Sequence, residues 1–210
     1  APTERSERHE GAHRRATLWA QKAVGIVEKS EYEQALSQYN LNITDEEVKA
    51  AVTKIIAEKV SENDNLEVKK FLLGSVELTT LSTTDTEEKV LEMVEKVNRF
   101  DSEYPDLPHV AALCAYPCFT KLMADSLEVD GVDITNVTGN FPSSQTFLEV
   151  KTIETALAIK DGATHIDIVM PVGKFLSGDY EGVCDTINEL KQVCGDIPMK
   201  VILETGDLGN

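Results

Sequence analysis

The pattern that most constrains the fold is a repeat in which a short apolar segment is followed by a helical segment. Four such units begin near His109, with strands predicted at 110–116, 134–138, 165–170 and 199–206. A strand–helix repeat is typical of a parallel sheet rather than a helical bundle or a sandwich. No Gly-x-Gly-x-x-Gly follows any of these strands, which disfavours a dinucleotide-binding sheet and favours a (β/α) barrel.

Helical patterns precede the repeat. A polar tail leads into apolar residues near helical spacing over 12–38, which include Trp19 and predict an amphipathic helix. We therefore divide the chain into an N-terminal tail with an amphipathic helix, 1–38, and a barrel portion, 39–210.

A second helix is predicted to begin after Thr44, because Thr44 and Glu47 have the spacing of a capping box. It should run to about Val60. Its predicted buried stripe consists of Val48, Ala51, Val52, Ile55, Ile56, Lys59 and Val60.

The charge and the cysteines exclude several classes of function. A net charge of -17 disfavours binding to nucleic acid or to an anionic membrane, since both require a positive surface. Four scattered cysteines predict reduced thiols, without a disulfide framework or a zinc site. No apolar run is long enough to span a membrane. These features predict a cytoplasmic protein that binds no metal.

Asp167 is the residue that most suggests chemistry. Alternation in the strand over 165–170 places Asp167 and Val169 on one face, with Ile166 and Ile168 on the other. A buried, unpaired carboxylate is costly, so Asp167 should be paired, protonated or required for catalysis. A salt-bridged or water-exposed acid at the end of the strand is the plainer interpretation.

The last strand adds a lysine and a second acid. Alternation places Lys200, Ile202 and Glu204 on one face. If that face points into the barrel, Lys200 would lie within reach of both Glu204 and Asp167. The arrangement could serve acid–base chemistry, or it could be a structural network of buried ion pairs.

Other polar residues lie where barrel chemistry is expected, at the C-terminal ends of strands. Cys114 and Tyr116 end the first predicted strand, and Phe141 follows the second. Earlier in the chain, Glu77, Thr79 and Thr80 form a polar cluster that could be a capped helix junction or part of a site.

Five motifs occur in an order that resembles deoxyribose-phosphate aldolase over roughly residues 40–210. They are Glu-Leu-Thr-Thr-Leu (77–81) with Asp85 and Thr86, Ala-Ala-Leu-Cys-Ala-Tyr-Pro (111–117), Asn-Phe-Pro-Ser-Ser-Gln (140–145), Asp-Gly-Ala-Thr-His-Ile-Asp-Ile-Val (161–169) and Lys-Val-Ile-Leu-Glu-Thr-Gly (200–206).

The resemblance implies an α/β fold, the (β/α)8 TIM barrel, with about four βα units in this chain and a helical N-terminal extension. It implies reversible cleavage of 2-deoxy-D-ribose 5-phosphate to D-glyceraldehyde 3-phosphate and acetaldehyde through a lysine Schiff base, without a cofactor. Asp167 aligns with the family's proton-relay acid. Lys200 and Glu77 are the further catalytic candidates. The substrate-binding candidates are Thr79, Thr80, Cys114, Tyr116, Phe141 and Glu204.

Two departures from the family pattern are visible. The family's Schiff-base lysine lies in a Lys-Thr-Ser-Thr-Gly block that does not occur among these 210 residues, nor do its phosphate-binding glycines. We expect the chain to be the N-terminal part of a longer polypeptide, or to be completed by another copy in a homo-oligomer. Glu77 also stands where the family usually has Asp. A non-catalytic barrel that acts as an interaction or scaffold protein is the alternative hypothesis.

Overall fold

The computed structural model describes residues 31–209, and the contacts divide the chain into two compact units, 1–48 and 49–210. In the first unit, the described residues form helix α1 (Glu31–Leu36) and the start of α2 (Asp45–Asn63). The polar tail, Trp19 and most of the helix predicted over 12–38 lie outside the described residues.

The second unit contains a parallel sheet with helices between its strands. The strands are β1 (Glu77–Thr79), β2 (Ala112–Ala115), β3 (Asp133–Thr138), β4 (His165–Val169) and β5 (Met199–Ile202). After α2, the helices are α3 (Leu66–Leu73), α4 (Glu87–Asn98), α5 (Phe100–Glu103), α6 (Thr120–Ser126), α7 (Leu148–Lys160), α8 (Val172–Leu176) and α9 (Tyr180–Cys194). Short 3-10 turns follow β2 at Pro117–Phe119 and β5 at Thr205–Asp207.

The five strands pair in sequence order, β1-β2-β3-β4-β5, and every pair is parallel. This order is that of a (β/α) barrel, as the strand–helix repeat predicts. The four predicted strands are β2 to β5, and sequence reasoning missed a fifth strand, β1, in the polar segment that was predicted to be either a capped helix junction or part of a site. With only three residues and two of them polar, β1 is too short to show strand alternation in the sequence.

The sheet is curved, as a contact between charged side chains on its two edge strands shows. β1 and β5 are its edge strands, which a flat sheet would hold about 19 Å apart at a strand spacing of about 4.8 Å. Yet Nζ of Lys200 in β5 lies 3.1 Å from Oε2 of Glu77 in β1. Extended Glu and Lys side chains cannot bridge a flat sheet, so the sheet bends toward the face that carries them, as in a barrel.

The helices cover the opposite, convex face, where the apolar core lies. One core cluster joins β2 and β3 to α4 and α6, and a second joins β4 and β5 to α7 and α9. The first contains Val90, Val94, Val97, Leu113, Ala115, Met123, Val132 and Ile134. The second contains Ala158, Ala163, Ile166, Ile168, Leu190 and Cys194. Burial of these side chains is the main term that holds helices and sheet together.

Helix α2 begins as predicted but packs differently. The amide of Glu47 donates to Oγ1 of Thr44 at 3.2 Å, and the amide of Thr44 donates to the Glu47 carboxylate at 2.8 Å, which confirms the capping box. The predicted buried stripe was wrong, because Val48, Val52, Ile55, Ile56, Val60 and Ala51 are all exposed. Periodicity identifies an apolar stripe, but it cannot show whether another element covers it.

Membrane insertion can be judged from the length and hydropathy of the helices. Among the helices within 31–209, none combines the length and the apolar character needed to cross a bilayer.

Candidate active site

Asp167 lies in β4, as predicted, and its side chain points to the concave face of the sheet. Ile166 and Ile168 point the other way into the core. The Asp167 side chain is only 6% exposed. Its buried carboxylate has a partner, since Oδ2 lies 2.9 Å from Nζ of Lys200 on the neighbouring strand.

Lys200 lies between two acids, but the second acid is Glu77 rather than Glu204. Its Nζ donates to Oε2 of Glu77 at 3.1 Å. The predicted contact between Glu204 and Lys200 was wrong, because β5 ends at Ile202 and Glu204 has a left-handed backbone with φ 52°. The alternation that would place Glu204 beside Lys200 stops two residues too early.

The charges of this cluster and its burial shift the pKa values of Asp167 and Lys200. Burial raises the pKa of Asp167, and the negative charge of Glu77 adds to the rise, while the hydrogen bond from Lys200 opposes it. Burial by itself lowers the pKa of Lys200, but its hydrogen bonds with Asp167 and Glu77 and their charges outweigh burial and raise it. Lys200 is therefore held as an ammonium. The pKa of Asp167 moves upward, toward the range in which its carboxyl group can exchange protons.

Cys114 lies beside this cluster on β2. Burial raises the pKa of Cys114 to about 12, and the charges of Glu77 and then Asp167 contribute. The sulfur is therefore a thiol at neutral pH rather than a nucleophilic thiolate. Ligand atoms of Glu77, Cys114 and Asp167 lie within 4.8 Å of one another, a grouping that could hold a metal ion. Here the Lys200 ammonium already lies between the two carboxylates.

We expect Cys114 to resist alkylation in the folded protein. Because it is 1% exposed and protonated, iodoacetamide at pH 8 should modify it at least about 100-fold more slowly than the exposed Cys118 and Cys184. Peptide mass mapping over time would measure the three rates, and modification in urea would show that all three can react. Labelling of Cys114 as fast as Cys118 would contradict the assignment.

Of the other predicted substrate-binding residues, Thr79 lies beside the cluster, whereas Thr80, Tyr116 and Phe141 contact other residues. Thr79 lies at the site, opposite Cys114 on the neighbouring strand, and its hydroxyl donates to the backbone carbonyl of Glu77 at 2.9 Å. Thr80 instead donates to the Asp85 carboxylate at 2.8 Å. The Tyr116 hydroxyl donates to the carbonyl of Leu81 at 3.3 Å, and its ring meets that of Phe141 edge-on.

Two polar residues with buried side chains near the site were not among the predicted site residues. Asp85 accepts from Thr80, the amide of Ser82 and Lys89, and so fixes the loop after β1. Asn136 in β3 accepts from Thr120 at 2.8 Å and donates to the carbonyl of Ala115 at 3.0 Å. An Asn inside an apolar strand was the available signal for the second, since a buried amide needs partners.

A curved parallel sheet with an acid–amine–acid cluster on its concave face is an arrangement suited to proton transfer inside a (β/α) barrel. Solved aldolase structures share the fold. The aldolase QR15 is 26% identical with a TM-score of 0.58, over 65% of this chain and 57% of that one. A tetrameric deoxyribose-phosphate aldolase from Aeropyrum pernix is 29% identical with a TM-score of 0.52, over 68% of this chain and 56% of that one.

Among curated proteins, sequences named deoxyribose-phosphate aldolase are similar to this chain. The Homo sapiens enzyme of that name is 33% identical over 149 residues, which are 64% of this chain and 45% of the relative. The Bos taurus enzyme is 33% identical over 150 residues, 64% of this chain and 46% of the relative. The chain spans about half the length of the curated relatives it matches. No protein-family model matches it.

These similarities confirm the resemblance that the five motifs indicated, together with the (β/α)-barrel fold class.

Proposed function

We propose that the complete protein is a class I aldolase that reversibly cleaves 2-deoxy-D-ribose 5-phosphate to D-glyceraldehyde 3-phosphate and acetaldehyde through a lysine Schiff base. The observation that carries the proposal is the buried Asp167 carboxylate, held 2.9 Å from an ammonium on the concave face of the sheet. Relatives named deoxyribose-phosphate aldolase match the chain over this region and support the choice of substrate.

Asp167 is the proposed proton relay. A Schiff-base aldolase must deliver a proton to the carbinolamine oxygen as water leaves, and then exchange protons with the enamine carbon. A carboxyl group does this best when its pKa is near the working pH. Burial and Glu77 move the pKa of Asp167 in that direction.

Lys200 has the proposed role of holding Asp167 and supplying a positive charge. It is not the Schiff-base nucleophile, because that amine must be neutral to attack a carbonyl. The pKa of Lys200 is raised, and its two acceptors, Asp167 and Glu77, hold the ammonium form. The nucleophile we propose is a different lysine, in the Lys-Thr-Ser-Thr-Gly block of the family.

The remaining candidates are proposed to shape the substrate pocket. Thr79 and Cys114 present a hydroxyl and a neutral thiol next to the catalytic acids. Tyr116 and Phe141 pack against each other, and we propose that they border the pocket on the side of the loop after β3. The proposed partner is a small phosphorylated sugar. The tetrameric state named for the Aeropyrum pernix relative also supports the proposal of a homo-oligomer.

Reductive trapping tests the proposal. Sodium borohydride added to the complete protein with 2-deoxy-D-ribose 5-phosphate should reduce an imine and leave a substrate-derived adduct on one lysine. Intact-mass measurement and peptide mapping would locate it, and Lys200 should not be the labelled residue.

The matched control is borohydride without substrate, which should leave the mass unchanged. A folded complete protein that forms no adduct and shows no turnover would refute the aldolase proposal. It would then favour the hypothesis of a non-catalytic barrel.

A further inference from the structure

A cavity of about 610 Å³ lies outside the acid–amine–acid cluster. The loop between β3 and α7, the loop after β4, and helices α7, α8 and α9 form it. Its lining includes Ser144, Thr146, Phe147, Lys151, Gly173 and Lys174. Helix α7 packs on the convex face of the sheet through Ala158, whereas Asp167 and Lys200 lie on the concave face. Glu77, Asp167 and Lys200 do not line the cavity, which is therefore distinct from the cluster.

Lys151 is the unusual residue of this cavity. It is only 3% exposed, yet no acidic side chain among residues 31–209 forms an ion pair with it. Nζ donates to Oγ of Ser144 at 2.6 Å, and this is the one acceptor recorded for the ammonium among residues 31–209. An ammonium carries three donors, and burial of a charge without a counter-ion is costly. Within the described part of the chain, two of its donors and its charge have no protein partner.

A second lysine contributes to the same cavity. Lys174 on α8 donates to the carbonyl of Gly182 at 3.2 Å and, like Lys151, forms no ion pair within the described part of the chain. Burial lowers the pKa of Lys151, and the positive charge of Lys174 lowers it further. In a chain with a net charge of -17, these two cations face one cavity and repel each other. An anion placed between them would remove that repulsion.

We propose that this cavity is a binding site for a phosphate-bearing small molecule, with its phosphoryl group held by Lys151, Lys174 and the hydroxyl of Ser144. A phosphoryl group matches the site because it accepts several hydrogen bonds and carries nearly two negative charges. Phe147, Leu148 and Pro171 give the cavity apolar walls against which the rest of such a molecule can pack.

The first turn of α7 strengthens the case for an anion. No side chain caps this 13-residue helix, and its first residue, Leu148, lines the cavity. The amides of a first turn and the helix dipole both favour negative charge. This contribution is additional, since the buried Lys151 and the cavity carry the proposal.

Titration of the complete protein with inorganic phosphate at pH 7.5 in chloride buffer tests the proposal. Backbone amide resonances of Thr146 and Gly173 should shift, which separates this site from any phosphate subsite elsewhere in the barrel. Lys151→Met should weaken that response about 10- to 100-fold, the factor expected when a hydrogen bond to a charged group is lost. Acetate should bind more weakly than phosphate because it carries a single charge.

Lys160→Met is the matched control, because Lys160 is an exposed lysine in the last turn of the same helix. It should leave the phosphate response unchanged. Phosphate should also raise the melting temperature of the wild type more than that of Lys151→Met. Absence of shifts at Thr146 and Gly173 with millimolar phosphate, or an equal response in Lys151→Met, would overturn the proposal. The proposal would also be overturned if Lys151 formed a covalent adduct with an aldehyde and did not bind phosphate.

Discussion

Asp167→Asn is expected to lower turnover of 2-deoxy-D-ribose 5-phosphate about 10²- to 10⁴-fold in the complete protein, the usual contribution of a general acid–base residue. The substitution keeps the size of the side chain but removes the group that accepts and returns the proton. Stability should change by only about 1 kcal/mol, because Lys200 retains Glu77 as a partner and its side chain is 58% exposed to water.

Turnover and the thermal midpoint should be measured together, with Asp133→Asn as the control. Asp133 is an acid at the start of β3 and has no contact with Lys200 among its recorded partners. Near-normal turnover in a folded Asp167→Asn protein would refute the relay assignment. Loss of activity only through unfolding would favour a purely structural ion pair.

Lys200→Met is expected to have the larger effect on stability. It would leave the buried carboxylate of Asp167 near that of Glu77 without a cation between them. Breaking a buried ion pair in this way costs about 3 to 5 kcal/mol, and solvent at the exposed lysine should reduce the loss to about 2 to 3 kcal/mol at neutral pH. Denaturant unfolding would measure it. Turnover should also fall, since Asp167 loses the group that holds it.

The loss should depend on pH in a defined direction. Without Lys200, the folded pKa of Asp167 rises further above its ordinary value of 3.8. A group whose pKa is raised on folding contributes stability below its unfolded pKa and loses it as the pH rises through the folded value. The difference from wild type should therefore be small near pH 3 and grow toward neutrality.

Lys121→Met is the matched control for Lys200→Met. Its ion pair with Asp125 on α6 is exposed on both sides, so its removal should leave the free energy of unfolding almost unchanged. Equal losses of stability in the two variants, or a loss for Lys200→Met that does not vary with pH, would contradict the role of Lys200 as the partner of the buried Asp167 carboxylate.

The sequence predicted those parts of the site that depend on local periodicity. Alternation identified the residues that share a face with Asp167 in β4 and with Lys200 in β5, because each lies inside a regular strand. That the two faces coincide was only a condition of the prediction, and the pairing of Asp167 with Lys200 across β4 and β5 meets it. Alternation failed for Glu204, whose position depends on where β5 ends. Glu77 could not be assigned to the cluster from periodicity, since its contact with Lys200 requires a curved sheet.

The fold likewise divides into features that local periodicity predicts and features that depend on packing. The strand–helix repeat identified β2 to β5, but β1 has too few residues to carry a pattern. The apolar stripe of α2 and the buried face of α7 show that periodicity does not determine which face of a helix is buried. In α7 the apolar Val150, Ile153 and Leu157 are exposed, while the polar Lys151 and Thr155 are buried. Only the packing of neighbouring elements determines which face is covered, and so the cavity around Lys151 could not be predicted from the sequence.

The contact between Glu77 and Lys200 has a consequence for how the protein folds. The two residues are 123 positions apart, and all five strands must be in register before their side chains can meet. Contacts of such long sequence separation carry a large loop-closure cost and are expected to form late, after the transition state. The interactions of this cluster would then slow unfolding while leaving the folding rate almost unchanged. The group of residues proposed for catalysis would thus also set the lifetime of the folded barrel.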